Sequence, residues 1–558
     1  MNPSRTRFWI AVLAAVAVWE GAVLGLVALS PRLLASWHGF LHAGIATRFP
    51  SPAFVPENPF FAGEPIAYYW FYQWAGSVIS RVAGIDLLHA FQVIALSSLA
   101  LLVVAAALAG RQLYRSTMAG LVIGYLALLG MNPLGPAIAG AKHVLRDQAL
   151  MQHERPDPGG DTFVTNALAD DRMARPLLGA LHIGTDWRAS QNIVWFFDVS
   201  ARGPALAMLL MMALLVTMPG RGRGPALALV PTGALAAALN PIIGLSAAGV
   251  LVAAAALVWI ATRDATVLAT RSVAFLCGAM IAWPFYGHLF AFESAAAFTG
   301  GAWMPITIAS LGAGFLVLAP LAAWGVTHGP AQARSGLAAL TLSGLLLAAA
   351  VPFVGLAEGN QHNLANAASC LLAVPAAAWV AGRWRRAVAL VLIFVPTTAG
   401  LALAFAGRGT LPLVFEDGTF RRTPAGGALD TFYRWASAST PRDAVFISDP
   451  DRPVKMSGNV SEMPAFTGRA LLVDHLTYMT EAYSDRQLRS DIARLAASGH
   501  ALTADQLSYL KRLQRPLYVV TFVADEGHVV DRLTGRYGPP VFRQEFIAAF
   551  ALDRSGPE

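Results

Sequence analysis

AYYWFYQWAGSVISRVA, residues 67–83, sets the sidedness of the whole chain. Counted as a membrane span, it would invert the sidedness of every segment after it. Its aromatic cluster and its internal Arg81 fit a helix lying at the lipid–water interface better than one crossing the bilayer. Read that way, the apolar runs around it fall into a consistent order. Candidate spans lie at 8–30, 87–109, 117–131, 203–219, 225–240, 242–261, 272–289, 305–326, 336–355, 364–381 and 387–406. Each approaches the roughly 20 residues that carry a helix across about 30 Å of hydrocarbon.

With about eleven spans, the arginine pairs of the short linkers (Arg5/Arg7, Arg111/Arg115, Arg221/Arg223, Arg263/Arg271, Arg334 and Arg383/Arg385/Arg386) all fall on one side. The positive-inside rule makes that side the cytoplasm. The opposite side then receives the long connections 31–86 and 132–202 and everything beyond residue 407. The expected fold is an α-helical polytopic membrane protein over 1–407, followed by a water-soluble α/β domain over 408–558.

Composition agrees. The 558-residue chain is 56% hydrophobic and only 13% charged, against about a quarter charged in soluble proteins. The net charge of +7 sits in linkers and forms no basic face, which argues against a nucleic-acid partner. The apolar run from Phe8 is longer than the roughly 7–15 residues of a signal-peptide core and reads as a retained first span. Cys277 and Cys370 both lie in apolar runs and suggest neither a disulfide nor a metal framework.

Beyond residue 408 the pattern changes to short apolar runs mixed with charges. ALDTFYRWASAS reads as a helix, DAVFISDP and LLVD as short strands, and EAYSDRQLRSDIARLAASG as an amphipathic helix. TADQLSYLKRLQ opens with a capping box from Thr503 to Gln506, and LYVVTFVA is a strand.

The connection 31–86 is unusually rich in His, Glu, Pro and aromatics. His38 and His42 are four apart, so a helix places both on one face. Glu57 and Glu64 follow in a Pro- and Gly-rich turn, then Tyr68, Tyr69 and Trp70. The residues alone leave their roles open. The histidines suit an interfacial surface, catalysis or a divalent metal site. Glu57 suits a turn brace or a base, and the aromatics suit membrane anchors or a sugar platform. Glu20, in the first span, is an ionisable group of the kind that pairs with a neighbouring helix or couples transport. Asn459-Val460-Ser461 matches a glycosylation sequon, and no Walker A, GxSxG or HExxH pattern occurs.

WHGFLHAGI, then PENPFFAGEPIAYYW, then SRVAGI resemble the first periplasmic loop of bacterial membrane glycosyltransferases of the GT-C class. Members often show an Asp/His-rich helix start, PENPFFAGxPLxYYW and an amphipathic helix. DVSARGPALAML (Asp198–Leu209) and EGNQHN (Glu358–Asn363) also resemble that class. The resemblance implies a polyprenyl-phosphate sugar donor, a glycan or lipid acceptor, and location in the bacterial cytoplasmic membrane with the working face outside.

Such chemistry needs a base for the acceptor hydroxyl and a cation for the leaving phosphate. It makes His38, His42 and Glu57 the candidate catalytic residues. Glu64, Tyr68, Tyr69, Asp198, Arg202, Glu358, Asn360 and His362 are candidates for substrate binding, with Arg202 on the phosphate. Whether a divalent metal ion takes part is left open, and no metal ligand is assigned. The chain departs from the class in having no Asp between Met1 and Ile85, so a base in this loop must be His or Glu. A flippase for a lipid-linked glycan, or an inactive relative that binds through its outer domain, are the competing expectations.

Overall fold

The computed structural model describes residues 3–29, 37–130, 192–220, 222–263, 266–291, 303–351, 353–354, 362–393, 428–451, 461–474, 480, 482–522 and 527–552. Most of them are helical. In chain order the helices of the first part are α1 (Pro3–Leu29), α2 (Trp37–Ala46), α3 (Phe71–Ala83), α4 (Leu87–Tyr114), α5 (Thr117–Leu129), α6 (Val194–Phe197), α7 (Arg202–Thr217), α8 (Arg223–Leu239), α9 (Pro241–Thr262), α10 (Thr266–Ile281), α11 (Trp303–His328), α12 (Arg334–Ala350) and α13 (His362–Ala376).

Among the described residues, five helical segments are long and apolar enough to cross a membrane: Arg5–Gly25, Leu87–Tyr114, Pro241–Thr262, Ala331–Ala350 and His362–Val380. Shorter apolar helices pack among them. The outward faces of α1, α9 and α10 carry exposed Leu13, Val18, Ile260 and Ile281. Water would penalise such faces and lipid does not.

Arg271, grouped in the sequence with the linker cations Arg221 and Arg223, reaches the start of their linker. It is buried on α10 and donates to the carbonyls of Val216 (3.0 Å), Met218 (2.6 Å) and Gly220 (2.9 Å). These include the last carbonyls of α7, which lack helical partners, so the cation caps that helix end.

The segment 67–83 also differs in part. Its helix, α3, leaves Trp74 exposed, but Tyr69, Trp70, Tyr72 and Gln73 are buried against protein. Those aromatics pack against protein. Gly76 is required there, since a Cβ would lie 2.2 Å from the Phe91 ring of α4.

The last part contains a five-stranded sheet, with strands β1 (Val445–Ile447), β2 (Ala470–Leu471), β3 (Leu517–Thr521), β4 (Phe542–Gln544) and β5 (Ile547–Leu552) in the order β2-β1-β3-β5-β4. β1 runs parallel to β2 and β3, while β5 is antiparallel to β3 and β4. Alternation along the strands sends Val445, Ile447, Val519 and Phe550 to one face and Phe446, Val520 and Ala549 to the other.

The first face is covered by α16 (Arg486–Ala497), α17 (Ala504–Arg512) and α18 (Gly527–Tyr537); the second by α14 (Ala428–Ser439) and α15 (Met463–Thr467). Thr503 and Gln506 form the expected capping box at the start of α17. The β4–β5 hairpin has no counterpart in the sequence reading.

Residues 57–65 join the two parts. They form a tight turn, with Asn58 N–H donating to Glu64 O (2.8 Å) and Ile66 N–H to Pro56 O (2.9 Å). The turn lies on the open side of β2, where Ala62 N–H donates to Leu471 O (2.9 Å) and Leu471 N–H to Pro59 O (2.8 Å). An otherwise unpaired strand edge is thereby closed, and Phe61 and Ala62 enter the core of the sheet.

Candidate functional site

The site begins with α2, whose helical spacing puts His38 and His42 on one buried face with ring centres 6.0 Å apart. His38 Nδ1 lies 2.5 Å from Asp198 Oδ2, and its Nε2 lies 3.3 Å from Arg202 Nη1. An Asp, absent between Met1 and Ile85, thus reaches His38 from far along the chain. Asp198, His38 and Arg202 form one continuous, buried ionic string.

Local backbone geometry sets up this string. α6 ends at Phe197, the chain reverses through Val199 at φ 45°, and α7 starts at Arg202. A β-branched residue in the left-handed region costs on the order of 1–2 kcal/mol. The reversal is braced by the Tyr72 hydroxyl, which donates to Val199 O at 2.7 Å. Arg202 sits at the helix N-terminus, where the dipole disfavours a cation. Helix stability therefore does not explain its placement, whereas contact with His38 and the Trp195 ring, 4.3 Å from the guanidinium carbon, does.

His42 has a different environment. Its ring meets Tyr72 edge-on at 4.8 Å, with Phe91 at 5.8 Å and Tyr68 at 6.3 Å. Nδ1 is 2.9 Å from the Gln73 amide, and Nε2 is buried with no hydrogen-bond partner among the described residues. Burial, then the neighbouring His38 and Arg202, push its pKa well below the usual histidine value. The ring is therefore neutral at physiological pH, with a basic nitrogen available.

The other candidates divide into three groups. Tyr68 and Tyr69 stack at 4.1 Å with their hydroxyls 2.9 Å apart, and Asn240 donates to the Tyr69 hydroxyl at 3.3 Å. They adjoin His42 and so belong to the cluster. His362, buried at the start of α13, stacks on Trp195 at 5.7 Å. Glu358, Asn360 and most of the 132–202 loop lie outside the described residues, as does Asn459 of the sequon.

Glu57 and Glu64 are not brought to the histidines. Glu57 is held by Arg48 and Arg515 and accepts from Gly63 N–H at 2.7 Å. Glu64 lies 3.6 Å from the Arg489 guanidinium. Both belong to the turn that docks on the sheet. Among the described residues, no group of three or more His, Cys, Asp or Glu side chains is arranged to hold a metal ion.

Glu57 carries a prediction of its own. Burial raises its pKa, but Arg48, Arg515 and the Gly63 N–H together outweigh burial and lower it below the ordinary value. The unfolded chain thus takes up this proton first as pH falls. The stabilisation is complete above the ordinary carboxylate pKa and is lost as pH drops through the depressed one. Glu57→Gln is expected to lower stability by about 1–3 kcal/mol at neutral pH. The gap in melting temperature from the parent should narrow on acidification, and a gap independent of pH would contradict this account.

Three contributors escaped the sequence reading: Trp195, Tyr72 and Gln73. Trp195 lies at the edge of an unassigned loop. Tyr72 and Gln73 were absorbed into the interfacial-helix reading, although a lone glutamine among aromatics was a usable signal.

Comparison with known proteins places a family model described as "Uncharacterized membrane protein (DUF2298)" on residues 37–200, from the start of α2 to just past Asp198. No curated protein matches the chain. Two solved structures of ArnT from Cupriavidus metallidurans are similar, the apo state at 13% identity and the form bound to undecaprenyl phosphate at 14%. Each has a TM-score of 0.47 and covers 96% of this chain and 99% of that one. An Archaeoglobus fulgidus oligosaccharyltransferase tethered to an acceptor peptide is similar at 12% identity and TM-score 0.38, covering 95% of this chain and 71% of that one. The apolar helices and the membrane-protein family match make the chain an integral membrane protein.

Proposed function

We propose that the protein is a membrane glycosyltransferase that moves a sugar from a polyprenyl-phosphate donor to an acceptor at the outer face of the cytoplasmic membrane. The observation that carries this reading is the buried string Asp198–His38–Arg202 beside a neutral His42. It pairs a cation suited to a phosphate with a neutral imidazole suited to a base, both buried among apolar helices. The first-loop motifs and the arginine distribution, with about eleven crossings and residues 408–558 outside, support the same assignment.

The two histidines take different roles in this reading. Inverting displacement at the anomeric carbon requires the acceptor to attack from the face opposite the leaving phosphate. A base in contact with the phosphate-binding arginine cannot stand on that opposite face. His38, 3.3 Å from Arg202, therefore belongs to the phosphate side, where its Nδ1–H is held by Asp198 and its Nε2 accepts from Arg202, orienting the guanidinium. Arg202 supplies its planar fork to the phosphate oxygens.

His42 Nε2 takes the proton of the acceptor hydroxyl. The acceptor oxygen bonds to the anomeric carbon as the carbon–oxygen bond to phosphate breaks, and the electron pair leaves with the polyprenyl phosphate. His42 then returns the proton to solvent.

Binding tests the phosphate end separately from turnover. In nanodiscs, Arg202→Ala is expected to weaken polyprenyl phosphate binding about tenfold to a hundredfold, the size of a lost charge-assisted contact. His42→Asn should leave it within a factor of about three, since that change removes no phosphate contact. Equal affinity of the parent and Arg202→Ala would remove the phosphate assignment.

A further inference from the structure

We infer that Gln73 is a positioning residue that fixes the tautomer of His42, holding the proton on Nδ1 so that Nε2 presents its lone pair to the acceptor hydroxyl. The inference rests on the proposed role of His42 as base, and it gives α3 a part in the reaction beyond packing.

Gln73 is fully buried near the start of α3, and its side-chain amide faces three groups: the carbonyls of Tyr69 and Trp70, and His42 Nδ1. With its nitrogen toward the carbonyls, it donates to both at 3.1 Å and its oxygen accepts from His42 Nδ1 at 2.9 Å. Reversed, the amide oxygen would face two carbonyl oxygens, and buried polar groups are not left so. The satisfied orientation requires a proton on Nδ1.

A neutral imidazole carries one N–H, so Nε2 is then bare. That nitrogen is buried and without a partner among the described residues. Tyr72, beside the ring, already spends its hydroxyl on Val199 O. A group that only completed the packing would gain nothing by leaving a basic nitrogen open. A group that must receive a proton needs it open.

The chain is held in place for this. Gln73 lies one residue after Tyr72, which braces the Asp198 loop, and three after Trp70, buried against Phe49 and Phe285. Any sliding of α3 would move both ends of the site together.

The test uses the full chain in nanodiscs with 15N-labelled histidine. Nitrogen shifts report the His42 tautomer whether or not the enzyme turns over. The parent should show an unprotonated Nε2. Gln73→Met, close in volume but unable to accept, should lose that signature. It should lower kcat about a hundredfold with KM for the donor nearly unchanged, as expected when a catalytic histidine loses its orienting acceptor. Gln73→Glu keeps an acceptor toward His42 Nδ1 but turns its second oxygen on the Tyr69 and Trp70 carbonyls, so it should keep the Nδ1–H tautomer at a cost in stability and move the acidic limb of the pH profile upward.

A parent with the proton on Nε2, or a Gln73→Met variant with an unchanged tautomer, would overturn the inference. A tautomer that follows Gln73 in a protein that cleaves no polyprenyl-phosphate donor would uphold the positioning role and overturn the glycosyltransferase reading instead.

Discussion

Replacing His42 with asparagine is expected to lower the rate of glycosyl transfer by roughly 10²–10⁴-fold, the usual contribution of a positioned base, with little change in donor binding. Asparagine keeps a polar group near Gln73 but has no basic nitrogen. The pH dependence gives an independent check. Burial, His38 and Arg202 depress the His42 pKa well below the ordinary histidine value, so the base stays neutral down through that value as pH falls. The acidic limb of kcat should lie below the range of an ordinary histidine. A rate profile with its inflection at or above the ordinary value would show that another group is the base.

The second large effect is expected far from the histidines. Arg489 is buried on α16, with its guanidinium carbon 3.8 Å from the centre of the Phe61 ring. It donates to Asp485 (3.0 Å), the Tyr509 hydroxyl (2.6 Å), Ala62 O (2.5 Å) and Leu472 O (3.2 Å). Tyr483 stacks on the same phenylalanine at 4.4 Å, and its hydroxyl donates to Pro65 O at 2.6 Å.

Arg489→Ala leaves the Ala62 and Leu472 carbonyls without this donor and takes the cation from Asp485, which keeps the Tyr509 hydroxyl. Removing one partner of a buried ionic group costs about 3–5 kcal/mol. At a few degrees per kcal/mol, the melting temperature should fall by about 10 °C or more. Limited proteolysis should cut the 57–65 turn faster. Because that turn lies between α2 and α3, turnover should fall as well, although Arg489 touches no catalytic residue. An unchanged melting temperature and unchanged cleavage would mean that the turn is held by the helices alone.

These two sites show what the sequence disclosed. The membrane character was legible because long apolar helices need no tertiary information to be recognised. Local signals such as the Thr503–Gln506 capping box were legible for the same reason. His38 and His42 were legible as a pair because helical spacing is local.

Pairings across the chain were not. Nothing near His38 announces that Asp198 will stand beside it, or that Glu57 will be taken up by Arg48 and Arg515. In a Pro-rich turn a carboxylate destined for a base and one destined for a clasp look alike. Only the docking of PENPFFAGEP on β2 separates them. The β4–β5 hairpin was missed because FRQEFIAAFAL alternates poorly and turns through Glu545 at φ 49°, a position that glycine or asparagine usually marks.

Under the proposed function the sugar–phosphate bond is broken at this site. The most direct measurement reconstitutes the full chain in proteoliposomes with a polyprenyl-phosphate donor radiolabelled in the sugar and follows both products. Free polyprenyl phosphate should appear in step with labelled acceptor, with both lost in His42→Asn and Arg202→Ala. Labelled donor that crosses the bilayer with its sugar–phosphate bond intact, and no free polyprenyl phosphate, would contradict it and identify a flippase.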